Sequence, residues 1–125
     1  MRFERLMFEI TFQFATAWNE GDFLTLENCL AEQVEYESPL VSPLAPEYPD
    51  NRIVGKSNLM AYFRKAFLRK PGIVLDTASI QTTKELREIQ LQSHLVGLDK
   101  VLLASLILNE YGKLVSLKIN YADKY

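Results

Sequence analysis

The chain has one cysteine, Cys29, one histidine, His94, and five glycines that never adjoin one another, in 125 residues. A lone cysteine excludes an internal disulfide. A lone histidine with no second histidine or nearby cysteine leaves no recognisable zinc site. No glycine-rich phosphate loop and no HExxH or CxxC motif occurs, so neither a nucleotide cofactor nor a metal is expected. Excess charge is also missing: 14 Lys and Arg stand against 16 Asp and Glu, for a net charge of -2. The two signs are interspersed, which leaves no basic stripe for a phosphate backbone and argues against nucleic acid as a partner. No apolar run is long and charge-free enough to span a bilayer, so no membrane partner is expected. The Phe-rich first 18 residues are broken by Arg5, Glu9 and Gln13 and lack the continuous apolar stretch of a signal peptide. These absences lead to the expectation of a cytoplasmic protein in which Cys29 is a small buried hydrophobe.

What is present is a 48% apolar composition, enough for one core and, at this length, one domain over 1–125. Phe3, Leu6, Met7, Ile10, Phe14, Ala17 and Trp18 recur at helical spacing opposite Arg5, Glu9, Gln13 and Thr16. Phe8, Phe12 and Ala15 form a second stripe, destined for the core or for a partner subunit. Gly21 can end this helix in the left-handed conformation, and Asp22 can cap a short second helix over 23–31. Residues 34–40 alternate as a strand that Pro39 should end. Pro39, Pro43, Pro46 and Pro49 make 39–51 a loop. A third helix follows Gly55, capped by Ser57, with Leu59, Met60, Phe63, Ala66 and Phe67 on its apolar face and Pro71 and Gly72 as its stop. Residues 73–82, 86–96, 100–108 and 113–122 read as strands separated by hairpin-length breaks. Three helices before a meander predict an α+β domain, with the helices packed on one face of a curved antiparallel sheet.

The run Ala17-Trp18-Asn19-Glu20-Gly21-Asp22, the segment Val34-Glu35-Tyr36-Glu37-Ser38-Pro39, and Gly55 opening a helix with Ala61-Tyr62-Phe63 resemble the nuclear-transport-factor-2-like (SnoaL-like) superfamily. The terminal Gly112-Lys113-Leu114-Val115 hairpin and Tyr121 resemble the end of the same fold, so the likeness runs through the whole chain. The resemblance implies a cone-shaped pocket and often a homodimer, with no single activity, because isomerases, cyclases, hydrolases and binding proteins share the fold. Against the ketosteroid isomerase pattern, Ser38 stands in the position of the aspartate that moves the proton. Phe14 and Ala104 stand where a tyrosine and a protonated aspartate hold the oxyanion. None of the three working groups is retained, and steroid isomerisation by that mechanism is not expected. Whether the chain is an enzyme stays open.

Strand parity gathers a chamber. Leu91, Ser93 and Leu95 share a face with Leu102, Ala104 and Leu106, while Leu117, Ile119 and Tyr121 join from the last strand. With Phe14, Trp18, Tyr36, Ser38 and Phe63 they form an apolar pocket with a few hydroxyls, suited to an apolar small molecule. The alternative is that these side chains simply fill the core. Asp76, the one carboxylate in an apolar strand run, and Ser38 are the candidate catalytic groups, although alternation leaves the facing of Asp76 open. Besides binding, two further functions are therefore carried: a lyase, isomerase or cyclase acting on an apolar cyclic substrate, or an interaction module. Val101, Leu103, Ser105 and Ile107 lie on the opposite face and are the expected dimer surface. His94 falls on the polar side of its strand, and Glu35 and Glu37 point away from the chamber.

Overall fold

Apolar side chains at every third or fourth position coil the first segment into α1 (Arg2–Glu20). The computed structural model describes residues 2–68, 73–82, 88–95 and 101–122. Met7, Thr11, Phe14, Ala15, Ala17 and Trp18 are buried, whereas Phe8 and Phe12 stack on each other, 6.3 Å apart, in a half-exposed stripe. Leu6, expected in the core, is 38% exposed and leans towards the turn at Gly112. Gly21 ends α1 at φ +71°, where an added Cβ would lie 2.9 Å from the Phe67 ring. The carboxylate of Asp22 then accepts from the Thr25 amide at 3.2 Å and from its hydroxyl at 2.7 Å, opening α2 (Phe23–Cys29).

The chain leaves α2 directly into β1 (Leu30–Glu37), so Leu30 is a buried strand residue and not the helical one expected. The proline-rich stretch contains the one-turn α3 (Val41–Leu44) and is followed by a three-residue strand, β2 (Arg52–Val54), neither of which the periodicity reveals. Gly55, at φ +98°, leads into α4 (Lys56–Leu68). Ser57 therefore lies inside the first turn and is not the cap. The Asn58 side chain, which donates to the Val54 carbonyl at 3.0 Å, ties the helix start to β2. The remaining strands are β3 (Ile73–Thr82), β4 (Glu88–Leu95), β5 (Val101–Leu108) and β6 (Leu114–Ala122).

The sheet order is β2-β1-β6-β5-β4-β3. All neighbours are antiparallel except β1 and β6, so the expected antiparallel sheet is in fact mixed. The last strand returns beside the first in the same direction, which is possible because α4 and three strands supply the long crossover that parallel pairing requires. On the edge strand β3, the Asn19 side chain takes up both backbone groups of Leu75, donating to its carbonyl and accepting from its amide at 2.9 Å each. The Trp18 indole donates to the Ile73 carbonyl at 2.8 Å. The end of α1 thus satisfies strand groups that have no strand partner. The core lies between α1, α4 and the inner face of the sheet.

Candidate functional site

Between the helices and the inner sheet face lies a cavity built from both layers. The helix wall carries Phe14 and Trp18 of α1 and Tyr62, Phe63 and Ala66 of α4. Phe63 anchors it: its ring lies 6.2 Å from Phe14, 5.4 Å from Trp18, 5.4 Å from Tyr36 and 6.3 Å from Tyr62, mostly edge to face. The sheet wall carries Ile73, Leu75, Leu91, Leu102, Ala104, Leu106, Leu117 and Ile119. Register explains the set: Leu91 pairs with Ala104, which pairs with Ile119, and Leu106 pairs with Leu117. Cross-strand partners share a face.

β1 and the residues after it close the third side with Tyr36, Ser38 and Leu40. Among the described residues, Leu40, Ile73 and Ile119 are the partly exposed members of the lining. The cavity's free volume is ≈ 50 Å³, several times the roughly 10–15 Å³ that one water requires, which leaves room for a molecule of about one ring.

Among the described residues no charged side chain lines the cavity, and its polar side-chain groups include the hydroxyls of Tyr36, Ser38 and Tyr62. Ser38 is buried and accepts from the Leu40 amide at 3.2 Å. Burial pushes the Tyr36 phenol up to about 12, a shift that the Ser38 side chain partly offsets. Burial, and then the neighbouring Tyr36, raise Tyr62 as well. Both phenols are therefore neutral donors at any physiological pH.

Among the residues picked from sequence, Phe14, Trp18, Tyr36, Ser38, Phe63, Leu91, Leu102, Ala104, Leu106, Leu117 and Ile119 come together around this cavity. Tyr121 does not: along β6 burial falls from Leu117 to Ile119, and Tyr121 is 50% exposed. The side chains of Ser93, His94 and Leu95 lie outside the described residues. Asp76 is not a cavity group either, since Ile73 and Leu75 take the inward positions on β3. Its carboxylate instead accepts from the Ala78 amide at 3.0 Å. This holds the irregular stretch between Asp76 and Gln81, where the Ser79 hydroxyl donates to the Asp76 carbonyl and accepts from the Gln92 amide. Leu40, Tyr62, Ala66, Ile73 and Leu75 join the lining without having been picked. The signal for Tyr62 was available, three residues after Leu59 and four before Ala66.

Outside the cavity, Val101, Leu103 and Ser105 are half-buried and Ile107 is 37% exposed on the outer face. Lys118, beside Ser105 in register, lies 3.5 Å from Glu37, and Arg52 pairs with Glu35, so both glutamates belong to solvated ion pairs. Among the described residues no cluster could hold a metal, and no helix is long and apolar enough to cross a membrane.

Compared with known proteins, no family model matches the chain and no curated protein does. Solved structures do. A SnoaL-like protein of unknown function from Burkholderia thailandensis superposes with a TM-score of 0.77 at 20% identity, over 95% of this chain and 96% of that one. The fold is SnoaL-like. A putative ketosteroid isomerase from Kribbella flavida follows at TM-score 0.70 and 14% identity, covering 97% of this chain and 81% of that one. An epoxide hydrolase of the LEH-like type from M. tuberculosis gives 0.68 at 13% identity, with 94% and 84% covered. In this SnoaL-like fold Phe14, Ser38 and Ala104 all line one cavity.

Proposed function

We propose that the chain binds a neutral, largely apolar small molecule of about one ring in the cavity between the helices and the sheet. The cavity itself carries this reading. Packed interiors leave few voids larger than a water, yet ≈ 50 Å³ stays open here between aromatic and aliphatic walls, with hydroxyls grouped at one side. An uncharged lining penalises a charged ligand, which would lose its hydration with nothing in return. The isomerase and hydrolase neighbours lend support to a cyclic ligand, but their chemistry does not transfer with the fold. Phe14 and Ala104 donate no hydrogen bond, and the hydrogen-bond partner of Ser38 among the described residues, the Leu40 amide, is no base. Binding without turnover is the reading carried forward, in preference to a lyase, isomerase or cyclase.

Trp18 reports on it. Its indole is buried, bonded to Ile73 and part of the lining, so its emission should be blue-shifted and should change saturably with ring-sized probes such as toluene or cyclohexanone. Trp18→Phe controls for optical artefacts. Emission typical of a solvated indole, or indifference to every probe, would remove the binding reading.

The outer face of β5 supports a homodimer alongside this. Val101, Leu103 and Ile107 form an apolar stripe on the outer sheet face, which no helix among the described residues covers, with Ile107 more than a third exposed. Sedimentation at micromolar concentration should find a dimer that Leu103→Glu shifts towards monomer. A clean wild-type monomer would end the idea. A cytoplasmic setting fits Cys29, which is buried and whose thiol burial pushes up to about 11, keeping it protonated and unreactive.

A further inference from the structure

Leu117, Ile119 and Tyr121 take successive inward positions along β6, and the first two line the cavity. Tyr121 stands opposite Leu102, itself part of the lining, and cross-strand partners share a face. Its side chain therefore continues the sheet wall at a place where half of it meets water. The strand pairing explains the exposure. β1 follows β6 only as far as the Glu37–Lys118 pair, whereas β6 runs on to Ala122 against β5. Among the described residues no strand flanks 119–122 on the β1 side, so the sheet ends at this corner with Ile119 in the lining and Tyr121 just beyond it. Leu40, which follows the end of β1, is likewise a partly exposed member of the lining.

We infer that the cavity opens at this corner and that its ligand is a ring carrying a short apolar chain, the ring inside and the chain leaving past Ile119 to lie on the Tyr121 ring. The inference rests on the binding reading above and adds the shape of the ligand and a residue that selects for it. A free volume of ≈ 50 Å³ is filled by about one ring, so anything attached to that ring has to leave the cavity. Alternate positions on a strand lie roughly 7 Å apart, a distance that a short alkyl chain spans from Ile119 to Tyr121. The chain is apolar because the inward positions here carry an aliphatic and an aromatic side chain, while Lys118 and Asn120 alternate to the outer face. Laying methylenes on a half-exposed ring takes apolar surface out of water on both sides of the contact.

The test compares butylbenzene with toluene by Trp18 emission. Wild type should bind butylbenzene roughly tenfold more tightly, because a methylene fully withdrawn from water is worth about fourfold and those of the chain are half covered. Tyr121→Phe should keep that gain, since the ring and not the hydroxyl supplies it. Tyr121→Thr suits a strand but has no ring, so it should leave toluene binding unchanged and lose most of the gain. Equal binding of the two probes to wild type, or binding of toluene alone, overturns this inference and leaves the binding reading standing. A gain that survives Tyr121→Thr sends the chain out elsewhere and overturns it as well. Failure of both probes to bind removes both readings. Should Tyr121→Thr not fold, Tyr121→Trp in a Trp18→Phe background decides: the new indole's emission should shift to the blue with butylbenzene and not with toluene, and any other response overturns the proposal.

Discussion

The two walls of the cavity are made differently. On the helix side, Phe14, Trp18, Tyr62 and Phe63 interlock through ring contacts of 5.4–6.3 Å, with Phe67 extending the chain to Phe23. On the sheet side, the strands present leucines and one small residue, Ala104, at the middle of a cross-strand row. Large rigid rings cannot settle into the gap above a methyl group, and strands held by their ladder cannot rise to meet them. The void is the residue of that mismatch, whereas either wall facing a copy of itself would have closed it.

Three substitutions press on the contrast. Phe63→Ala removes the ring that four others touch and should cost about 3–5 kcal/mol, read as a lowered denaturant midpoint. Ala104→Val works from the other wall with the opposite sign. It adds methyl groups where there is space, on a strand that suits a β-branched residue, and should stabilise by roughly 0.5–1 kcal/mol while abolishing the ligand response of Trp18. Destabilisation instead would mean that the space is not where the lining places it. The smallest effect belongs to Asp22→Ala, which loosens α2 behind the aromatic wall. The Thr25 hydroxyl and amide hold the Asp22 carboxyl below its usual 3.8, so the cap stabilises fully above that pH and fades as the pH falls through the lower folded value. The difference in melting temperature between variant and wild type should therefore be present at pH 7 and shrink in acid.

How much of this was legible varies with the kind of signal. Helix ends written in single residues, Gly21 and Asp22, were readable because each conformation has few residues that suit it. The inward rows of β4, β5 and β6 were readable because parity and short hairpins fix which residues share a face. Parity failed on β3, where the irregular stretch after Asp76 breaks the alternation and the hydrogen bond to Ala78 explains a carboxylate that chemistry alone made interesting. It also failed at Tyr121, since alternation says which face a residue takes but not how deeply that part of the face is covered. α3 and β2 were hidden because four prolines within 39–49 mask both periods, and three residues of strand carry almost no pattern of their own. The parallel pairing of β1 with β6 joins the two ends of the chain, information that no local window contains.

The two backbone bonds of Asn19 have a consequence for how the molecule behaves in a crowd. A sheet edge is an open template, and a strand from another chain can add to it and start a fibre. The β2 edge is a poor template because it is three residues long and carries Arg52 in an ion pair. The β3 edge is ten residues long and would be the dangerous one, but near its start the places of an incoming strand are taken by a side-chain amide and an indole from α1. Asn19 offers the donor and acceptor of a peptide group without the chain to continue them, so at Leu75 edge-to-edge growth meets a group that pairs once and cannot propagate.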